Sequence, residues 1–104
     1  MSYQVLITER AERELKDATD RIAEHAPETA DRWFNGFIKA LSTLGLNPQR
    51  CGLARENALF PYELRCLLYG RRRSYRAVFT IRDDAVVVLS IRHTARRDLT
   101  RDEL

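Results

Sequence analysis

Cysteine is scarce in this chain, lysine scarcer relative to arginine, and long apolar runs are missing altogether. The two cysteines, Cys51 and Cys66, lie far apart without CxxC spacing. That favours two reduced thiols in a cytoplasmic protein over a disulfide or a metal pair. No apolar run reaches the roughly 20 residues that span a bilayer, so no membrane partner is expected. Met1-Ser2-Tyr3-Gln4 runs straight into a strand-like segment and lacks the basic and apolar regions of an export signal. Repeats, low-complexity tracts and linkers are also wanting. With 104 residues, the chain reads as one domain over 1–104. An apolar fraction of 44% is ordinary for a globular protein, so neither metal, cofactor nor disulfide is needed to hold it.

Charge is present in quantity and unevenly placed. Net charge is only +3. Residues 1–49 carry six Lys and Arg against eight Asp and Glu, whereas residues 50–104 carry twelve Arg against seven acids. Arginine outnumbers lysine sixteen to two. Its guanidinium fork suits bidentate contacts to phosphate or carboxylate, where lysine offers a point charge. High arginine content can reflect genome composition, but its segregation into one half implies an acidic partner there: RNA, DNA or an acidic peptide.

The periodicities give an α+β order, β-α-α-β-β-β. Tyr3 to Ile7 alternates as a strand. Thr8 is a candidate N-cap with Glu9 in the first turn, where a carboxylate suits the helix dipole. Ala11, Leu15, Ala18 and Ile22 then recur at helical spacing. Pro27 suits the first position of a second helix, whose wide face holds Ala30, Trp33, Phe34, Phe37, Ile38, Leu41 and Leu44. Trp33 and Phe37 sit among large apolar residues and read as core rather than as a stacking pair for a ligand. Gln49 to Pro61 is a loop. Three strands follow: Leu64 to Leu68, Tyr75 to Ile81, and Val86 to Ile91, the last apolar on both faces and therefore central. Short connections give a strand order 1-4-3-2, mostly antiparallel, with the helical hairpin on one face and the other face open.

Strand parity then separates core from site. Leu64, Cys66 and Leu68 are expected to join Tyr75, Ala77, Phe79 and Ile81 against the helices. Arg65, Arg76 and Arg92 would point to the open face, beside the turn Arg71-Arg72-Arg73. A single arginine on such a face is usually a solvated rim residue; three on adjacent strands suggest a platform for a polyanion. His93 shares the parity of Ile91, so it reaches the open face only if the strand ends or bulges there.

Tyr3-x-Val5, Ala11-x-x-x-Leu15, Ala30-x-x-Trp33, Asn47-Pro48, Leu64-Arg65, Tyr75-Arg76 and Val88-Leu89-Ser90-Ile91-Arg92-His93-x-x-Arg96 follow in order across nearly the whole chain. In sequence and spacing these blocks resemble the RelE/ParE toxins of bacterial type II toxin–antitoxin, or plasmid stabilisation, systems. The resemblance implies a cognate antitoxin as partner, and a target that is either ribosome-bound mRNA or DNA gyrase. Members similar to RelE and YoeB cleave mRNA on the ribosome without metal. By resemblance Glu56 would be the base, Arg76 the cation at the phosphorane and His93 the acid. Arg65 would add a phosphate clamp, and Arg72, Arg73, Arg92 and Arg96 of the basic surface are the further candidates for phosphate or RNA contact. Thr94 departs from the tyrosine those toxins carry after the histidine, and the chain continues for eleven residues beyond it. ParE-like members instead inhibit gyrase and need no catalytic set; the long helical hairpin and His93-x-x-Arg96 fit them equally. A third reading is an inactive relative that only binds antitoxin or DNA. A native antitoxin would lay an acidic or amphipathic segment across the basic open face.

Overall fold

The computed structural model describes residues 2–104. Strand β1 (Gln4–Ile7) leads into helix α1 (Glu9–His25), and α2 (Pro27–Ser42) follows after a single residue, Ala26. Thr8 caps α1 as expected, its side chain accepting the Ala11 N–H at 3.2 Å, and Pro27 opens α2 where its missing N–H costs nothing. After a connection with three short 3₁₀ turns come β2 (Arg65–Tyr69), β3 (Tyr75–Arg82) and β4 (Ala85–His93). The sheet order is β1-β4-β3-β2, with β1 parallel to β4 and the other two pairings antiparallel. The expected α+β architecture and strand order both hold, with β4 central.

The helices cover one face of the sheet. Ala11, Leu15, Phe37, Leu41, Leu44, Ala77, Phe79, Val86, Val88 and Ile91 form that core. Trp33, Phe37, Tyr69 and Tyr75 make an aromatic cluster at one end of it, with Trp33 edge-on to Phe37 at 5.4 Å and to Tyr75 at 5.1 Å, and Phe37 stacked on Tyr69 at 4.3 Å. The pair is structural. Each large side chain buried this way contributes about 1.5–3 kcal/mol.

Two expectations about parity fail, and both failures move the candidate site. In β2, Arg65 pairs with Phe79 and Leu67 with Ala77, so Leu67 and Tyr69 face the helices and Leu64 and Cys66 face away. Both alternating sets of β2 are apolar, so its own pattern could not choose; the Tyr69 hydroxyl, reaching the Trp33 carbonyl of α2 at 2.9 Å, accompanies the register adopted. In β4 the register slips at Leu89: Phe79 pairs with Val88, but Val78 pairs with Ser90. The extra residue switches parity, which lets Val86, Val88 and Ile91 all enter the helix-side core.

The other face is not open either. Residues 54–64 and the tail after His93 fold over it and build a second core from Ala54, Leu64, Val78 and Leu99, with Phe60, Tyr62, Cys66, Leu89 and Leu104 packed around them. The sheet is thus buried on both sides, which explains why β2 and β4 carry apolar residues on both.

Candidate functional site

Two of the candidate residues meet under this second layer. The 3₁₀ turn Asn57–Leu59 follows Glu56 directly and fixes it over β3. Arg76, from β3, donates to both carboxylate oxygens of Glu56, one contact at 2.8 Å. Glu56 also accepts the Leu99 backbone N–H at 2.9 Å. Relative exposure is 0% for Glu56 and 3% for Arg76. Burial by itself would push the Glu56 carboxyl up, but the Arg76 hydrogen bonds and the Leu99 N–H outweigh it and hold the group below the usual carboxylate range. The Arg76 guanidinium is correspondingly held in its charged form by Glu56, against the effect of burial. The expectation that Arg76 points away from any core is therefore corrected. It is an internal ion pair that ties a loop, a strand and the tail together.

Arg92 lies beside Arg76 across the β3–β4 ladder and is equally sealed, at 2% exposure. One nitrogen donates to the Arg97 carbonyl at 2.7 Å, while Nε and Nη1 have no partner among the described residues. Burial and then the nearby Arg96 both lower its proton affinity. Arg65 belongs to the opposite face from Arg76 and Arg92. It is half-buried, paired with Glu63 at 2.9 Å and bonded to the carbonyls of Cys51 and Gln49. The three arginines expected to share an open face are split across two faces and engaged internally.

His93 is elsewhere again. β4 runs through it without a further bulge, so it keeps the parity of Ile91 and pairs with Tyr75, whose ring meets the imidazole edge-on at 5.2 Å. It is exposed, in a shallow cleft with Glu14, Asp17, Ala18 and Arg21 of α1, and Arg96. Its Nδ1 accepts the Ala95 N–H at 3.0 Å. The sheet therefore separates His93 from the Glu56–Arg76 pair. Arg72, Arg73 and Arg96 remain exposed at the surface.

Several residues that organise this region carried no signal in the motif reading. Arg55 donates to the tail carbonyl of Thr94 at 3.0 Å and to that of Arg96, and pairs with Asp98. Glu14 of α1 accepts from Ser90 Oγ at 2.8 Å and from the Ile91 N–H at 3.1 Å, capping the stretch of β4 that β1 is too short to cover. Glu103 pairs with Arg97 and Arg10. Leu99 had one visible clue: it is an apolar residue isolated in a charged tail. Among the described residues no group of three or more His, Cys, Asp or Glu could hold a metal ion, and no helix is long and apolar enough to cross a membrane.

The family model described as the ParE toxin of type II toxin–antitoxin system, parDE, matches residues 5–98. The chain belongs to the ParE toxin family. Among solved structures, the chromosomal ParDE TA system from P. aeruginosa is similar to it, at 19% sequence identity over 88% of this chain and 96% of that chain, with a TM-score of 0.71. At that identity the likeness concerns the fold, which is that of the RelE/ParE superfamily. No curated protein matches the chain by sequence. Membership of a ParE family implies a cognate antitoxin as partner. An antitoxin segment crossing the sheet face at Arg76 and Arg92 is not compatible with this structure, because the protein's own loop and tail occupy that face.

Proposed function

We propose that this ParE-family toxin arrests growth by binding and inhibiting DNA gyrase, and that it does not cut ribosome-bound mRNA. The observation that carries the reading is the state of Glu56. A general base must come within about 2.6–3.2 Å of the proton it removes. Glu56 has no exposure, spends both oxygens on Arg76 and Leu99, and lies across the sheet from His93. Acid, base and cation are thus not arranged around any one point where a phosphodiester could sit. Inhibition by binding requires none of them, and it uses the exposed surface that the fold does supply. The free thiols Cys51 and Cys66 fit the reducing cytoplasm in which gyrase works.

The test runs two assays on one purified preparation: gyrase supercoiling and DNA cleavage, and primer extension on translating ribosomes. Loss of supercoiling or accumulation of gyrase-dependent breaks, with intact mRNA, is expected. Cuts in the ribosomal A site with gyrase unaffected would replace this reading with the nuclease one. Addition of the cognate antitoxin is expected to restore gyrase activity.

A further inference from the structure

The arginines divide into those the fold consumes and those it leaves free. Arg55, Arg65, Arg76 and Arg97 all hold carboxylates. Arg71, Arg72 and Arg73, in the turn between β2 and β3, are all exposed and make no side-chain hydrogen bond or ion pair among the described residues. The turn is left-handed at Gly70 (φ 90°), Arg72 (φ 58°) and Arg73 (φ 54°). A residue with a Cβ is strained there, and Gly or Asn would sit more easily. Two of the strained positions nevertheless hold unpaired arginines.

The turn is fastened to the start of the tail. Thr94 donates to the Ser74 carbonyl through its N–H at 2.8 Å and its hydroxyl at 3.2 Å. Arg96 N–H then bonds the His93 carbonyl at 3.0 Å. Arg96 and Arg21 of α1, both exposed, line the cleft shared by Tyr75 and His93. Five guanidinium groups that make no hydrogen bond or ion pair among the described residues thereby collect at one end of the molecule. Of the two acids in that cleft, Glu14 is already engaged by Arg10, Ser90 and Ile91, which leaves Asp17.

We infer that this end is a phosphate-contacting surface for duplex DNA, formed by Arg71, Arg72, Arg73 and Arg96 with Arg21 at its margin. Given the gyrase reading above, on which this second step rests, it holds the toxin on the DNA-bound form of the enzyme. DNA is favoured over an acidic protein by what the patch omits. Protein interfaces draw affinity from buried aromatic and aliphatic anchors. The exposed large hydrophobics among the described residues are Leu6, Ile38, Leu46, Leu53, Leu59 and Leu68; of these only Leu68, on β2 two residues before Gly70, adjoins the turn, and its side chain lies on the sheet face away from the His93 cleft. Cations without anchors suit a polyphosphate backbone, where counterion release supplies the affinity. Arginine forks suit its paired oxygens.

The experiment measures fluorescence anisotropy of a labelled duplex of arbitrary sequence against purified toxin, over a range of salt concentrations. Each phosphate contact contributes about −0.9 to the slope of log affinity against log salt. The triple variant Arg71→Gln/Arg72→Gln/Arg73→Gln is expected to flatten that slope by about 2–3 and to weaken binding at least about tenfold at low salt. The matching triple lysine variant keeps the charges and is expected to retain the slope, which separates charge from turn geometry. Binding of each variant to antitoxin, and to gyrase without DNA, is measured alongside. A glutamine variant that binds DNA like wild type would overturn the inference. So would one that loses antitoxin but not DNA, since the patch would then serve an acidic protein. Wild-type DNA binding without any effect on gyrase would uphold the surface and remove the gyrase reading instead.

Discussion

The carboxylate of Glu56 accepts the backbone N–H of Leu99, 43 residues further along the chain, at 2.9 Å. The same carboxylate holds Arg76, so one buried acid joins the loop before β2, the strand β3 and the tail. Around it the second core of Ala54, Leu64, Val78 and Leu99 closes. The tail is held down further by Arg55 on the Thr94 and Arg96 carbonyls, and by Arg10 and Arg97 on Glu103. An extension past His93 has become a structural layer.

Breaking the central pair should therefore act on stability before it acts on any target. Arg76→Ala leaves Glu56 charged and buried, and removal of one partner from such a pair costs about 3–5 kcal/mol. Urea unfolding of Arg76→Ala and Glu56→Gln is expected to show losses of that order. The double variant Glu56→Gln/Arg76→Met should lose less than the sum of the two, because neither leaves an orphan charge for the other. Additive losses, or an Arg76→Ala protein as stable as wild type, would contradict the ion-pair account.

Arg92 gives a prediction of opposite sign. Its Nε and Nη1 are buried without partners, and an unsatisfied buried donor costs about 1–3 kcal/mol. Arg92→Met keeps much of the volume and removes the charge beside Arg76 and Arg96. We expect a gain of about 1–2 kcal/mol, read as a rise in Tm of several degrees, at roughly 4–8 °C per kcal/mol for a domain of this size. A fall in Tm would show that Arg92 is better satisfied than its contacts indicate.

Acid should loosen the tail. Glu56 and Glu103 are both held below the ordinary carboxylate value, Glu56 by Arg76 and Leu99 against burial, Glu103 by Arg97 and the Thr100 N–H. A carboxyl depressed in the folded state stabilises it fully above its unfolded pKa, about 4.3 for Glu. That contribution is lost as pH falls through the folded value. Stability is thus expected to drop below about pH 4. The Leu99 amide proton shift, followed by NMR, should titrate with a midpoint beneath the ordinary glutamate value. A midpoint at or above that value would refute the assignment.

Gly36 offers a test of the aromatic end of the core. A Cβ built there would come within 2.3 Å of the Tyr69 hydroxyl, which is itself fixed by its bond to the Trp33 carbonyl and by stacking on Phe37. In an exposed helix Gly→Ala would gain up to about 1 kcal/mol. Here Gly36→Ala is expected to cost about 1–3 kcal/mol through overpacking. In a Tyr69→Phe background, where the hydroxyl is gone, the same change should be neutral or favourable by thermal denaturation. Equal costs in both backgrounds would place the strain elsewhere.

Local chemistry alone determined the elements of this protein and their order. Thr8 and Pro27 mark helix starts through capping and a missing N–H, and the apolar stripes of α1 and α2 and the doubly apolar β4 specify what each buries. Those signals depend on near neighbours, and they suffice for the fold. The site depended on distant pairings. Residue 65 faces the helices because Arg65 registers with Phe79, although β2 is apolar on both sides. His93 stays on the helix side because the extra residue at Leu89 falls upstream of it. Arg76 is buried because the tail, nearly all polar in sequence, carries Leu99 back across the sheet to Glu56. A side chain's period of two says which residues share a face; only the register and the segment packed above decide which face it is and whether water reaches it.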